Sequence, residues 1–254
     1  MKTYKKKIGF IGAGNMATAM MSGMISGGIF SPEEILMTDV SEERLSLVSE
    51  KYHVGVTSDN TQAASGCGIL ILAVKPQYYT QVITEIAPYV TSEQIVITIA
   101  PGQTLFSLAE RFGSSELKIV RTMPNTPAMV GEGMTAVSPN ENVTGDELEY
   151  VRRILGGFGI TEVVGEHLMD AVVSVSGSSP AYVFMFIEAM ADAAVADGMP
   201  RAQAYRFAAQ AVLGSARMVL DTGKHPAELK DMVCSPAGTT IEAVKVLEEK
   251  GFRS

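Results

Sequence analysis

The first two thirds of the chain alternate short apolar runs with amphipathic stretches. The apolar runs are rich in isoleucine, valine and leucine, which is typical of the buried strands of a parallel sheet. We predict strands at Ile8–Ile11, Ile35–Thr38, Ile69–Val74, Ile95–Ile99, Ile119–Met123 and Thr135–Val137. Helix boundaries between them are indicated by Gly27, Gly28, Pro76 and a capping box of Thr144 with Glu147. Residues 1–164 are therefore expected to form a doubly wound α/β domain.

Beyond Ser174 the β-branched runs end, and alanine- and methionine-rich stretches predict an all-helical domain over 165–254. Helices are predicted at Pro180–Asp197, Arg201–Asp221 and Thr240–Lys250. The first of them is apolar on nearly every face except at Glu188 and Asp192, so other helices must surround it. A domain of this size is expected to complete its core with a second subunit.

Composition narrows the function classes. The chain has 254 residues, is 46% hydrophobic and carries a formal net charge of -8. Lys5, Lys6 and Lys7 form its only basic run, so nucleic acid is not an expected partner. Cys67 and Cys234 lie far apart, and neither a signal peptide nor an uncharged apolar run of membrane-spanning length is visible. We expect a cytoplasmic protein that does not contact a membrane.

The first predicted strand runs directly into a glycine-rich turn, Gly12-Ala13-Gly14-Asn15-Met16-Ala17. Gly12 permits the tight turn, Gly14 lets a pyrophosphate approach the backbone, and Ala17 allows close helix packing. The backbone N–H groups of the following helix then face the phosphates. An ordinary strand-to-helix turn is the simpler alternative, but the position of the motif favours a Rossmann domain that binds a dinucleotide.

The second predicted strand ends at Asp39, where an acidic side chain can bind a ribose 2′-hydroxyl and favour NAD. Ser41 and Arg44 follow at once, and an arginine here can instead hold the 2′-phosphate of NADP. Asp39 and Ser41 can also simply begin the next helix. These residues leave the choice of cofactor open.

Several further segments resemble those of pyrroline-5-carboxylate reductases, the family that carries out the last step of proline synthesis. They are LAVKPQ at 72–77, RTMPNTP at 121–127, SGSSPAY at 176–182, DMVCSPAGTT at 231–240 and GFRS at 251–254. The resemblance covers essentially the whole chain. It implies reduction of 1-pyrroline-5-carboxylate to L-proline by a nicotinamide cofactor, with NADP(H) preferred and NAD(H) possible.

The resemblance also implies cofactor contacts beyond the glycine-rich turn. The implied residues are Asn60, Ala73, Val74, Lys75, Pro76, Met123 and Asn125. Residues 73–76 follow a predicted parallel strand, at the edge where ligands bind such sheets. Asn125 lies in a proline-stiffened loop and is expected near the nicotinamide, whereas Asn60 is expected near the adenine-side ribose. A solvated Lys75, a ligand-free turn at 124–127 and a helix cap at Asn60 are the simpler alternatives.

The segment at 235–240 leads into the last predicted helix, whose unpaired N–H groups form an anion site suited to a substrate carboxylate. The implied substrate-binding residues are Val233, Ser235, Gly238, Thr239 and Thr240. The resemblance implies that Thr240 is catalytic, its hydroxyl bonding the ring nitrogen of the imine, while Val233 and Ser235 contact the ring and carboxylate. A helix cap is the alternative role for Ser235 and Thr240.

A cyclic imine can arrive protonated, so this reaction needs no dedicated strong acid. The positions of the histidines agree with this expectation, because none of them has a neighbouring carboxylate or cysteine at catalytic or metal-ligand spacing. We expect His53, His167 and His225 to be surface or packing residues, with no metal site.

Two departures from the family pattern are Ala237 and Ser179, where glycine is commoner. They put substrate affinity in question more than identity. Members often assemble as rings of five dimers, so a homodimer that builds a decamer is expected. They usually continue with a further helix after GFRS, so a chain ending at Ser254 is expected to be either shortened or an unusual protein.

Two other functions fit a Rossmann domain followed by helices. A β-hydroxyacid dehydrogenase would place a lysine on the first helix of the second domain, and residues 180–200 contain none. A non-catalytic dinucleotide sensor would need no substrate anion loop, so the 235–240 segment weighs against it.

Overall fold

A computed structural model describes residues 7–253; Lys5, Lys6 and Ser254 lie outside them. Within that range the strands form one sheet, and they are β1 Ile8–Ile11, β2 Ile35–Thr38, β3 Gly55–Thr57, β4 Ile69–Leu72, β5 Ile95–Thr98, β6 Lys118–Met123, β7 Gly133–Pro139 and β8 Gly159–Val163. Their order is β3-β2-β1-β4-β5-β6-β7-β8. Neighbouring strands are parallel, except that β6 and β7 are antiparallel.

Helices cover both faces of this sheet because its strands are apolar on both sides. They are α1 Asn15–Ser26, α2 Glu42–Tyr52, α3 Asn60–Gly66, α4 Tyr79–Ile86, α5 Leu105–Phe112 and α6 Gly145–Leu155. One buried cluster includes Phe10, Met20 and Phe158, and a second, on the other side of β1, includes Ile11 and Leu72. The predicted Rossmann-type doubly wound domain is confirmed.

The predicted strands are all present: β1 and β2 have the predicted bounds, and the other four differ from the prediction by one to four residues in length. Two strands escaped the sequence analysis, β3 and β8. Their side chains are mostly exposed or half-buried, so they lack the continuous apolar run that marks a buried strand. Short, partly exposed edge strands therefore carry too weak a hydrophobic signal to be predicted.

The contacts between residues divide the chain into two compact units, the first ending at Pro180 and the second beginning at Ala181. The predicted domain boundary at 164/165 stays a prediction. After β8 the chain continues through α7 Met169–Val172 and a π-helical turn at Val173–Gly177. The remaining helices are α8 Ser179–Ala196, α9 Arg201–Thr222, α10 Pro226–Val233 and α11 Thr239–Glu249.

Three of these helices were predicted within two residues at each end, but α10 was missed. It occupies the stretch that the sequence analysis treated as a connection between helices. Pro226 opens this eight-residue helix, and the side chain of His225 caps it by accepting the N–H of Ala227 at 3.2 Å. The second unit is therefore helical nearly throughout.

Candidate functional site

The glycine-rich turn between β1 and α1 requires its first glycine. Gly12 has a φ of 105°, and a Cβ there would lie 2.9 Å from the carbonyl oxygen of Ala73. A Cβ on Gly14 would meet no atom within 4 Å, so this face of the turn is open. Gly14 begins α1 with no side-chain cap, which leaves the first N–H groups of the helix available to an anion.

The turn lies at the point where the strand order reverses. The sheet runs outward from β1 to β2 on one side and to β4 on the other, and ligands of doubly wound sheets bind outside the carboxyl ends of such strands. The backbone N–H of Ala73, just beyond β4, donates to the carbonyl of Ile11 at 2.8 Å. The structure thus brings the predicted residues 12–16 and 73–76 to one edge of the sheet.

The carboxylate of Asp39 is occupied by the protein itself. Its Oδ2 accepts the backbone N–H of Ala13 and its Oδ1 that of Ser41, both at 2.9 Å. Its side chain is 8% exposed, whereas that of Arg44, 3.7 Å away, is 60% exposed. The Ser41 hydroxyl accepts the N–H of Arg44 and caps α2. Asp39 thus anchors the glycine-rich turn between β1 and α1, and Arg44 is the more accessible of the two charged side chains.

Asn60 lies at the same edge but its amide already has partners. Its Oδ1 accepts the Thr38 hydroxyl, and its Nδ2 donates to Glu85 at 2.9 Å. The helix-cap alternative was wrong by one residue, because Asp59 caps α3 by accepting the N–H of Thr61. The predicted contact of Asn60 with the adenine-side ribose stays a prediction.

A buried hydroxyl chain that the sequence analysis missed joins the ends of three adjacent strands. The hydroxyl of Tyr79 donates to the carbonyl of Leu72 at 2.8 Å and bonds the hydroxyl of Thr98 at 2.6 Å. The hydroxyl of Thr122 donates to the carbonyl of Thr98 at 2.8 Å. Burial raises the pKa of Tyr79 to about 12, so its hydroxyl stays protonated and fixes the backbone before residues 73–76.

Lys75 and Pro76 follow this fixed strand end. Lys75 is exposed and precedes a short 3-10 turn that begins at Pro76. Two strands further along the sheet, Met123 ends β6. Asn125 comes two residues later and is only 9% exposed. The Asn125 side chain hydrogen-bonds the backbone of Met134, in β7, and of Ser176.

In the second unit, the predicted substrate residues form one tight turn. Val233 ends α10 and is 63% exposed, and the N–H of Gly238 donates to the carbonyl of Ser235 at 3.1 Å. Gly238 begins α11, and no side chain caps that helix. The helix-cap role considered for Ser235 and Thr240 was therefore wrong. Thr239 and Thr240 occupy the first turn of α11, where the helix N–H groups can bind an anion.

Ala237, in the same turn, has a φ of 58°, in the left-handed region that glycine adopts without strain. Ala237 departs from the glycine that is commoner at this position in the resembled family. The left-handed backbone supplies a physical reason for that preference, because the Cβ of alanine is strained there and glycine has none.

The histidines occupy structural positions. His53 ends α2 in the left-handed conformation and His225 caps α10, while His167 lies in a short 3-10 turn. Among residues 7–253, no group of three His, Cys, Asp or Glu side chains is placed to hold a metal ion.

Comparison with known proteins places the chain in a family. Residues 166–254 match the model for pyrroline-5-carboxylate reductase dimerisation, and residues 7–102 match the model for NADP oxidoreductase, coenzyme F420-dependent. A pyrroline-5-carboxylate reductase of Escherichia coli (strain K12) is 52% identical over 98% of this chain and 93% of its own length. The chain belongs to the pyrroline-5-carboxylate reductase family.

Other members agree in sequence and in structure. The enzyme of Methanosarcina acetivorans is 46% identical over 98% of this chain and 92% of its own length. A pyrroline-5-carboxylate reductase structure from Coxiella burnetii superimposes with a TM-score of 0.90 at 36% identity, covering 98% of this chain and 92% of that one. One from Plasmodium falciparum, with NADP bound, gives 0.88 at 34% identity, covering 98% and 91%.

Membership of this family makes the chain an NAD(P)H-dependent oxidoreductase and removes the two alternative functions. Prephenate dehydrogenase from Aquifex aeolicus also superimposes, with a TM-score of 0.58, but at 14% identity it shares only the fold. The match to a dimerisation model indicates that the chain forms an oligomer.

One segment has two possible environments. Within the described residues, 166–196 is a single helical run long and apolar enough to span a membrane, and none of its apolar window is buried. The same residues open the match to the dimerisation model. A second subunit can therefore cover the apolar surface that a membrane would otherwise cover.

Proposed function

We propose that this protein reduces 1-pyrroline-5-carboxylate to L-proline with NAD(P)H, using the α11 turn as its substrate site. We infer the reaction from the 52% identity with a pyrroline-5-carboxylate reductase over 98% of this chain. The open N-terminus of α11 carries the site, because an uncapped helix start attracts a carboxylate.

The cofactor binds along the carboxyl edge of the sheet in this proposal. The N–H groups at the start of α1, from Asn15 and Met16, bind the pyrophosphate above Gly14. Residues 73–76 line the ribose and phosphate edge, with Asn60 near the adenine-side ribose and Met123 near the nicotinamide. Support comes from the open space at Gly14 and from the shared sheet edge of these segments.

NADP(H) is the preferred cofactor in this proposal. Both oxygens of Asp39 already accept backbone N–H groups in a site that is nearly closed to solvent, so the carboxylate is poorly placed to select a ribose 2′-hydroxyl. Arg44 is exposed beside it, and Ser41 opens the same helix. A guanidinium at this position favours a 2′-phosphate.

The chemistry needs one hydride and one proton. Hydride leaves C4 of the reduced nicotinamide and adds to the C=N carbon of the ring, while the ring nitrogen carries the proton, so the imine becomes a secondary amine and NAD(P)H becomes NAD(P)+. The hydroxyl of Thr240 bonds the ring nitrogen and orients it. Ser235, Gly238 and Thr239 hold the carboxylate at the helix start, and Val233 contacts the ring.

Assembly and location form a further part of the proposal. The exposed apolar side of α8 pairs with a second copy rather than with lipid, and the dimers build a decamer. Cys67 is buried in the first unit, where burial raises its pKa to about 11, and no disulfide links the cysteines of the described chain. This is compatible with a cytoplasmic enzyme.

Thr240 provides the test. Thr240→Val keeps the shape but removes the hydroxyl, and turnover of 1-pyrroline-5-carboxylate should fall about 10²-fold, as when one oriented donor is lost. Thr240→Ser keeps the hydroxyl and should stay within about threefold of the parent enzyme. NADPH binding, followed by fluorescence, should be unchanged in both. Equal turnover of the valine and serine variants would remove Thr240 from its role.

A further inference from the structure

The helical segment at the end of the first unit contains an irregularity. A π-helical turn at Val173–Gly177 precedes α8, which begins at Ser179. In an α-helix the carbonyl of Ser176 would accept the N–H of residue 180, but that residue is Pro180, which has none. The carbonyl of Ser176 therefore lacks the backbone donor that a regular α-helix would supply. π-Helical turns of this kind are frequent at functional sites.

Asn125 supplies the missing donor from another part of the chain. Its Nδ2 donates to the carbonyl of Ser176 at 3.0 Å, and its Oδ1 accepts the backbone N–H of Met134, which lies in β7, at 2.9 Å. The two partners fix the orientation of the amide, since a carbonyl requires the nitrogen and an N–H requires the oxygen. The side chain is 9% exposed, so water is a poor substitute for these bonds.

The side chain of Met123, at the end of β6, also lies beside the π turn. A Cβ on Gly177 would lie 3.7 Å from Cε of Met123, which is the ordinary contact distance between packed groups. The Asn125 amide therefore bonds the π turn directly, and the side chain of Met123 lies close to that turn. Beyond Pro180 the chain passes into the second unit.

We propose that Asn125 is a positioning residue whose amide replaces the N–H that Pro180 lacks and thereby holds residues 123–127 and the π turn in one arrangement. The consequence of this arrangement is that the nicotinamide lies at the angle required for hydride transfer. This consequence rests on the proposed function. Asn125 then acts through the backbone it binds, in contrast to the direct contact with the nicotinamide expected from sequence.

The first test exploits a change in protonation. Asn125→Asp still accepts the N–H of Met134, but its ionised form cannot donate to Ser176, whereas its protonated form can. At pH 8 both Asn125→Asp and Asn125→Ala should lose about tenfold or more in kcat, with the KM for NADPH within about threefold. The ratio of Asn125→Asp to parent activity should rise as the pH falls to 6, and that of Asn125→Ala should not. Equal pH profiles for the two variants would overturn the proposal.

The second test restores the backbone donor. Pro180→Ala provides an N–H that can reach the carbonyl of Ser176, but it does not link residues 123–127 to the π turn, so adding it to Asn125→Ala should not recover the lost kcat. Recovery of most of the lost kcat in the double variant would show that the link between the two segments is not needed, and would overturn the proposal.

Amide hydrogen exchange at 173–178 gives a readout that needs no activity. Exchange should be faster in Asn125→Ala and slow again in the double variant, and unchanged exchange in Asn125→Ala would refute the clamp. If the parent enzyme fails to reduce 1-pyrroline-5-carboxylate, the proposed function is wrong, while the exchange measurement still decides whether Asn125 replaces the missing donor.

Discussion

The two units of this protein bury their apolar residues to very different extents. The first covers both faces of its sheet, and large side chains such as Phe10, Tyr79 and Phe158 are fully buried. The buried cluster of the second consists of Ala191, Ala204 and Ala208, and Leu229 is buried apart from it. Meanwhile its large apolar side chains are exposed, among them Tyr182, Phe184, Met185, Phe207, Leu213 and Leu220. The first unit has a core of its own, whereas the second needs apolar surface from elsewhere.

The two units also differ in the groups that fix their local backbone geometry. In the first unit, buried hydroxyl and carboxylate groups fix strand ends, as Tyr79 and Asp39 do. In the second unit, the turn at 235–238, which we call the substrate turn because it belongs to the proposed substrate site, is closed by its own backbone and contains a strained Ala237. We therefore expect substitutions in the second unit to affect assembly most, and those in the first to affect stability and cofactor binding.

The largest effect is expected from a charge on the exposed side of α8. Phe184 is 63% exposed, and Phe184→Glu would place a carboxylate in the proposed interface, weakening association by about 3 kcal/mol or more, over 100-fold. Phe106, on α5 of the first unit, is 72% exposed and is the matched control. Sedimentation should detect dissociation for Phe184→Glu alone. An intact oligomer in that variant would contradict the interface.

Next in size is the loss of a buried ion pair in the first unit. Lys118 donates to Glu147 at 2.8 Å, with side chains 18% and 5% exposed. Glu147→Gln removes the negative charge from this partly buried ion pair and should lower the free energy of unfolding by about 3 kcal/mol. Asp221→Asn, which breaks an exposed pair with Arg217 in the second unit, should change it by less than about 0.5 kcal/mol. Urea unfolding that gives equal losses would contradict this difference.

The same pair should make the first unit sensitive to acid. Burial opposes ionisation of Glu147, but hydrogen bonds from Lys118 and Thr144 outweigh it and lower its pKa below the usual 4.5. Its stabilising contribution is thus complete above pH 4.5 and is lost as the pH falls through the lower folded value. The difference between the parent and Glu147→Gln should shrink over that range. A difference that stays constant down to pH 3 would indicate that the pair is not ionised.

A smaller effect is expected at the proposed phosphate contact. Arg44→Ala removes one charge-assisted contact, worth about 2 kcal/mol or less at an exposed site, so the KM for NADPH should rise about tenfold. The KM for NADH and that for the substrate should change little, since the substrate turn lies in the other unit. An equal rise for both cofactors would assign Arg44 a role other than binding the 2′-phosphate.

The smallest effect concerns the strained substrate turn. Ala237→Gly relieves a left-handed alanine and should raise the free energy of unfolding by about 1 kcal/mol at most, because glycine also gains freedom in the unfolded chain. Ala243→Gly, within α11, should lower it by a similar amount. A loss of stability in both variants would show that the turn carries no strain.

Much of this molecule could be predicted from sequence where a local rule applies. The turn at Gly12 was found because tight geometry and phosphate approach demand glycine, and α8 because it is apolar all round. Edge strands such as β3 and the short helix α10 were missed because their apolar signal is weak. Tyr79 and the partners of Asn125 were missed because residues far apart in sequence meet only in the folded chain.

The most direct test of the central claim is the transfer of deuterium to 1-pyrroline-5-carboxylate from NADPH that carries deuterium at both C4 positions. The account predicts that the parent enzyme forms proline carrying deuterium on the ring carbon next to nitrogen and away from the carboxylate, and that Thr240→Val does so about 10²-fold more slowly. Proline formed without deuterium at that carbon, or no proline at all, would contradict it.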